Sequence, residues 1–227
     1  MPIPEHGRDR KLDTVIFDLD GTLVDSVYVH TLAWQAAFRD VGLIMAAHRI
    51  HRAIGMGGDR LVAEVAGQQV EDAVGDELRS RHPEHLDEHF GAITPTPGAD
   101  ELLATLQDAG LQVVLATSGD RELTNRLLDV LDDASRLTLT MTGSEVDISK
   151  PDGKIFDAVL KPVNATTAIV VGDSVWDVRA ADDVGMRCIG VLTGGISEDE
   201  LLTAGAVAVH RDLGALAQFF RLHGSIF

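Results

Sequence analysis

Lysine is scarce in this chain: among 227 residues only Lys11, Lys150, Lys154 and Lys161 carry an ammonium group. With 19 Lys and Arg against 36 Asp and Glu, the formal charge is −17. So acidic a chain lacks the cationic surface that nucleic-acid binding needs to neutralise phosphates. It also repels small anions at long range, so an anionic ligand has to be held by a local cation. Cysteine is nearly absent too. The single Cys188 lies in the apolar run Arg187–Val191 and reads as a buried thiol packing as a small hydrophobe. One cysteine and no charged-plus-apolar leader set the expectation of a reducing, cytoplasmic compartment. No apolar run approaches the roughly 20 residues that cross a bilayer, so no membrane association is expected. Aromatics are 4% of the chain against a hydrophobic content of 45%. That balance suits a core packed with Val, Leu and Ala and large enough to stand without disulfides.

The apolar residues that are present recur at α/β spacing. Strands are expected at 15–17, 112–117, 137–142, 168–171, 187–191 and 206–209. Helical stretches lie between most of them, as at 99–109, 121–131 and 175–184. Strands alternating with helices of this length imply a doubly wound parallel sheet covered on both faces. Residues 25–94 break the pattern, with helices expected at 30–40, 60–67 and 70–90 and no convincing strand. Thr94-Pro95-Thr96-Pro97-Gly98 closes this section and reads as a hinge or linker. The expected organisation is therefore a core of residues 12–26 and 95–227 with a helical insert at 27–94. Residues 1–12 are polar and expected to be frayed.

The chemistry concentrates at four places. Phe17-Asp18-Leu19-Asp20-Gly21-Thr22-Leu23 directly follows the first apolar strand and sets two carboxylates two residues apart. Such a pair is costly unless a cation sits between the acids or one is kept protonated. It suits a nucleophilic aspartate beside a proton-handling one, with a divalent ion holding both. Thr117 and Ser118 end the second strand. Asp173 follows the fourth, inside Gly172-Asp173-Ser174-Val175-Trp176-Asp177. In an open parallel sheet, ligands sit beyond the carboxyl ends of the strands, so these groups share one edge. Lys150 lies in the loop Ser149-Lys150-Pro151. Taken alone, Asp173 and Asp177 could be helix-capping acids. Thr117 and Ser118 could be turn residues, and Lys150 a solvated loop lysine. Their joint occurrence favours the site.

This ordered set resembles the haloacid dehalogenase superfamily, in its branch of β-phosphoglucomutases and phosphoglycolate phosphatases. The helical insert is similar to that family's small cap of the first type. The resemblance spans roughly residues 15–195. It implies a Mg²⁺-dependent phosphatase acting on a small phosphorylated metabolite through an aspartyl-phosphate. Asp18 would be the nucleophile and Asp20 the acid and base. Thr117, Ser118 and Lys150 would hold the phosphoryl oxygens. The side chains of Asp18 and Asp173 and the backbone carbonyl of Asp20 would ligate Mg²⁺, with Asp177 supporting the outer shell. Retention of Asp20 points to oxygen leaving groups and away from carbon–halogen bonds. A sugar phosphate or phosphoglycolate is the expected substrate, and a monomer the expected state, with a dimer left open.

Within the insert, the resemblance sets His30 and Arg60 at the substrate and Trp34 near it. The bland alternatives are that Trp34 only packs the cap and that His30 is an exposed hinge residue. Gly55-Met56-Gly57-Gly58-Asp59-Arg60 lacks the Gly-Lys-Ser/Thr ending of a P-loop. A phosphomutase is the second reading and a non-catalytic phosphometabolite-binding protein the third. Against the mutase, Gly119 and Asp120 stand where the resembling mutases carry a polar residue and a lysine for a second phosphate. Arg121 could compensate only by turning inward. His82, His85 and His89, at i, i+3 and i+7, read as a solvated helix face in preference to a zinc site. Gly194-Gly195 reads as a loop without assigned chemistry.

Overall fold

The computed structural model describes residues 12–146 and 148–224. The expected fraying at 1–12 therefore falls almost wholly outside the described residues. Six strands form one all-parallel sheet: β1 (Thr14–Phe17), β2 (Gln112–Thr117), β3 (Leu139–Thr142), β4 (Ala168–Gly172), β5 (Arg187–Val191) and β6 (Ala208–His210), in the order β3-β2-β1-β4-β5-β6. The third and sixth strands each start two residues later than the sequence suggests. β1 is central and buried along its whole length. Its residues alternate faces: Val15 and Phe17 join one apolar cluster and Ile16 the other, as a period of two requires.

Eleven α-helices are assigned among the described residues. The first four, α1 (Val27–Asp40), α2 (Ala47–His51), α3 (Gly58–Ala66) and α4 (Gln68–His89), all fall between β1 and β2. α5 (Ala99–Asp108) then leads into β2, and α6 (Arg121–Leu128) leaves it. α7 (Gly143–Val146) and α8 (Lys154–Leu160) follow β3, and α9 (Val175–Asp183) follows β4. α10 (Glu198–Ala204) follows β5 and α11 (Leu213–His223) follows β6. One sheet face packs against α5 and α11 and the other against α8, α9 and α10. α1 to α4 hold a third cluster of their own, with Trp34, Phe38, Ile50, Leu61 and Leu78 at its centre.

The polypeptide crosses between the sheet and these four helices twice, and the two crossings lie side by side. Asp25 N donates to Thr94 O at 2.8 Å, and Thr96 N to Leu23 O at 3.0 Å. The Thr96 hydroxyl ties the same pair by donating to Thr22 O.

Topology fixes where ligands can go. The chain leaves β1 toward β2 on one side and leaves β4 toward β5 on the other. Their carboxyl ends therefore diverge and open a crevice between the two strands. Asp18 N donates to Val171 O at 3.0 Å, adding one more rung to the β1–β4 ladder. That rung sets Asp18 on the rim of the crevice.

Candidate active site

Local structure delivers each acid. Gly21 has φ +78°, a conformation L side chains rarely adopt, and it turns the chain just after Asp20. A Cβ at Gly21 would also lie 2.7 Å from Asp173 Cγ, so this turn seats the two acidic loops against each other. Ser174 caps α9, with Asp177 at the third helical position completing a reciprocal capping box. Asp177 Oδ2 accepts from Ser174 N at 3.1 Å and from Ser174 Oγ at 2.6 Å. Its other oxygen is thereby aimed back toward the sheet, 2.7 Å from Lys150 Nζ. Asp177 is thus both a capping acid and a member of the cluster.

Lys150 is fully buried and pairs with Asp18 and Asp177. Its backbone N–H donates to Ser118 Oγ at 3.1 Å, which pins the lysine loop to the end of β2. Ser118 Oγ in turn donates to Gly55 O at 3.3 Å, reaching the loop between α2 and α3. Thr117 is buried on the cavity wall, its hydroxyl accepting from Gly119 N at 3.2 Å.

Three buried carboxylates, from Asp18, Asp173 and Asp177, have oxygens within 4.8 Å of one another. Against one ammonium this leaves two negative charges uncompensated. Burial, reinforced by Asp177 and Asp20 and opposed by Lys150, pushes Asp18 up to about 7. Burial, then the charges of Asp177 and Asp18, holds Asp173 well above the usual carboxylate range. Burial works against the Lys150 charge, yet Asp177 and then Asp18 outweigh it and raise the ammonium above its ordinary value. Asp18 Oδ2 is buried without a hydrogen-bond partner. An orphaned carboxylate oxygen, an all-oxygen donor set and two surplus negative charges fit a hard divalent cation.

Asp20 stands slightly apart and is held differently. Its Oδ1 accepts from Ser26 Oγ at 2.5 Å and lies 3.0 Å from His30 Nε2. Burial alone would raise Asp20, but the charge and hydrogen bond of His30, with Ser26, outweigh it and hold the carboxyl below its ordinary value. His30 Nδ1 lies 3.0 Å from His82 Nε2, and Trp34 stacks on His82 with ring centroids 4.4 Å apart. His30 is therefore buried, not an exposed hinge residue. Trp34 both packs the helical cluster and lines the cavity.

Three expectations change. His82 is not on a solvated face: it is buried against His30, and burial, then His30, lowers its pKa well below the ordinary histidine value. His85 turns instead to Asp40 at 2.7 Å, and His89 is exposed. Arg60 does not line the cavity. It is exposed on the first turn of α3 with Asp59 as its neighbour, because α3 starts at Gly58 and buries Leu61, Val62 and Val65. Arg79 from α4 lines the wall instead. Gly194 is more than a loop residue, since a Cβ there would lie 2.5 Å from Asp173 Cγ, and only glycine lets β5's exit loop close over that acid. A Gly-Gly pair after a strand at the catalytic edge was the sequence signal for it. Arg121 points away from the cavity, donating to Thr140 O at 2.9 Å and pairing with Glu145. Asp120 lines the cavity, and its carboxylate caps α6.

The cavity measures about 340 Å³ and lies between the four-helix layer and the sheet edge. A crevice at the switch point of a parallel sheet, with an acid-flanked lysine and an inserted helical layer, defines a Rossmann-like hydrolase architecture. A family model of haloacid dehalogenase-like hydrolases matches residues 12–185, and the chain belongs to that family. It is similar to a hydrolase from Pseudomonas syringae of known structure, with a TM-score of 0.88 and 34% identity over 94% of this chain and 100% of that one. It is 31% identical to the phosphoglycolate phosphatase of Pseudomonas savastanoi pv. phaseolicola, over 79% of this chain and 69% of that protein. To the validoxylamine A 7'-phosphate phosphatase of Streptomyces hygroscopicus subsp. limoneus it is 27% identical, over 78% of this chain and 84% of that protein.

Proposed function

We propose that this chain is a cytoplasmic, Mg²⁺-dependent phosphomonoesterase in which Asp18 attacks phosphorus and Asp20 handles the proton. The observation that carries the reading is the buried Asp18–Lys150–Asp177 array beside Asp173. Residues 12–26 and 95–227 would form the catalytic core, and 27–94 the cap that covers it. Relatives named as phosphatases support the reaction class.

Asp18, Asp173 and the backbone carbonyl of Asp20 would hold the cation, with Asp177 supporting them. When bound, Mg²⁺ would neutralise the surplus carboxylate charge and polarise the phosphoryl group. Lys150 and Thr117, with Ser118, would bind phosphoryl oxygens as charge shifts onto them during in-line transfer. One Asp18 oxygen forms the bond to phosphorus while the ester oxygen leaves, giving an aspartyl-phosphate. Asp20, whose ionised form His30 favours, would take a proton from the adjacent His30 Nε2 to pass to that departing oxygen, and would later accept one from the attacking water. His30 holds the Asp20 carboxyl in one orientation. The cap excludes bulk water during the first transfer.

The outward course of Arg121 weighs against a phosphomutase, because that residue then does not compensate Asp120 toward a second phosphate. Phosphate release from a panel of esters with Mg²⁺, compared with Asp18→Asn, tests the proposal. Turnover is expected only in the parent chain. Asp20→Asn is expected to slow alkyl esters more than activated aryl phosphates. Release equal to that of Asp18→Asn overturns the reading.

A further inference from the structure

Lys150 pairs with Asp18 from a fully buried position outside the cavity lining, and the lining itself has the opposite character. Beyond Asp20, the lining includes two more acidic residues, Asp59 at the start of α3 and Asp120 at the N-cap of α6. Asp59 Oδ2 accepts from Ser149 Oγ at 2.8 Å, and Asp120 Oδ1 from Leu123 N at 2.9 Å. Among the described residues lining the cavity, Arg79 is the one Arg or Lys. Its guanidinium is already engaged: Nη1 donates to Gly58 O at 3.2 Å and to Glu71 at 2.8 Å, and Nη2 donates to Asp76 at 2.8 Å. Two carboxylates therefore offset this one cation, and both Nη1 protons are taken. His82 offers no compensating charge, since burial favours its neutral ring.

A leaving group that carried its own carboxylate would meet Asp59 and Asp120 without a free cation to receive it. One bearing hydroxyls or an ammonium would find acceptors in those same groups, because an ionised carboxylate accepts hydrogen bonds and donates none. Building on the phosphomonoesterase reading, we infer that the alcohol released by this enzyme is a neutral or amine-bearing polyol and not an anion such as glycolate. Asp120 and Asp59 are the residues that set this selectivity, by repulsion of the wrong leaving group as much as by attraction of the right one.

Three esters of nearly equal length test this: 2-phosphoglycolate, 2-hydroxyethyl phosphate and O-phosphoethanolamine, each assayed with Mg²⁺ beside p-nitrophenyl phosphate and an Asp18→Asn control. The neutral and amine-bearing esters are expected to exceed phosphoglycolate in kcat/KM by about tenfold or more, the scale of one like-charge contact in a partly screened site. Asp120→Asn keeps a residue able to cap α6. It is expected to narrow that gap by lowering the KM for phosphoglycolate. Phosphoglycolate turned over as well as the neutral ester, or better, overturns the inference while leaving the phosphomonoesterase intact. Failure of every ester, including p-nitrophenyl phosphate, to exceed Asp18→Asn overturns both.

Discussion

Deleting the Lys150 side chain removes the ammonium that holds Asp18 and Asp177 together in a buried cluster. Lys150→Ala is expected to lower kcat by about 10²- to 10³-fold, the usual scale for one electrostatic stabiliser. A thermal melt run alongside separates lost chemistry from lost fold, and a near-parental kcat would take Lys150 out of the site. This residue was legible in the sequence because lysine is so rare that its position near a proline stood out. His82 was not legible. Its partner His30 is 52 residues away on α1, and no local spacing announces a contact made by two helices crossing. Arg60 misled for a related reason. The likeness of its glycine-rich turn to a cap loop set it at the substrate, but one residue of helical phase decides which side chain faces inward, and Leu61 took that direction.

At the scale of elements, the sheet was readable from its alternating apolar runs, and its strand ends place the acids where the chain diverges around β1 and β4. The short helices were harder. α2 has five residues and α7 four, too few to show a 3.6-residue period. The exit of β5, marked in the sequence only by a Gly-Gly pair, yields a further test. Gly194→Ala sets a methyl group against the Asp173 carboxylate and must push that acid from its place. Affinity for Mg²⁺, measured by titration calorimetry, is expected to fall about tenfold or more, the scale seen when a ligand's supporting contacts are lost. Unchanged affinity would show that the loop yields and Asp173 stays put.

Across the whole molecule, the acidic cluster links protonation to stability. Asp18 is raised from 3.8 to about 7, and Asp173 is also raised, so the folded metal-free protein binds these protons more tightly than the unfolded chain does. Their contribution to stability is therefore present at low pH and is lost as pH rises from roughly 4 through 7. Added Mg²⁺ offsets the loss by pairing with the ionised carboxylates. The rise in Tm on adding Mg²⁺ is expected to be larger at pH 7.5 than at pH 5.5, and Asp173→Asn is expected to shrink the difference. Equal shifts at both pH values would remove the cation from the cluster.

The Asp20–His30 contact joins the loop after β1 to the first helix of the inserted layer, so it depends on how that layer sits on the sheet edge. A compound too bulky to let that layer settle would leave the imidazole out of reach and the carboxyl free to swing. It could dock by its phosphate and still remain uncleaved. The enzyme would then gauge the size of its guest through the alignment of one hydrogen bond, with no dedicated side chain for measuring it.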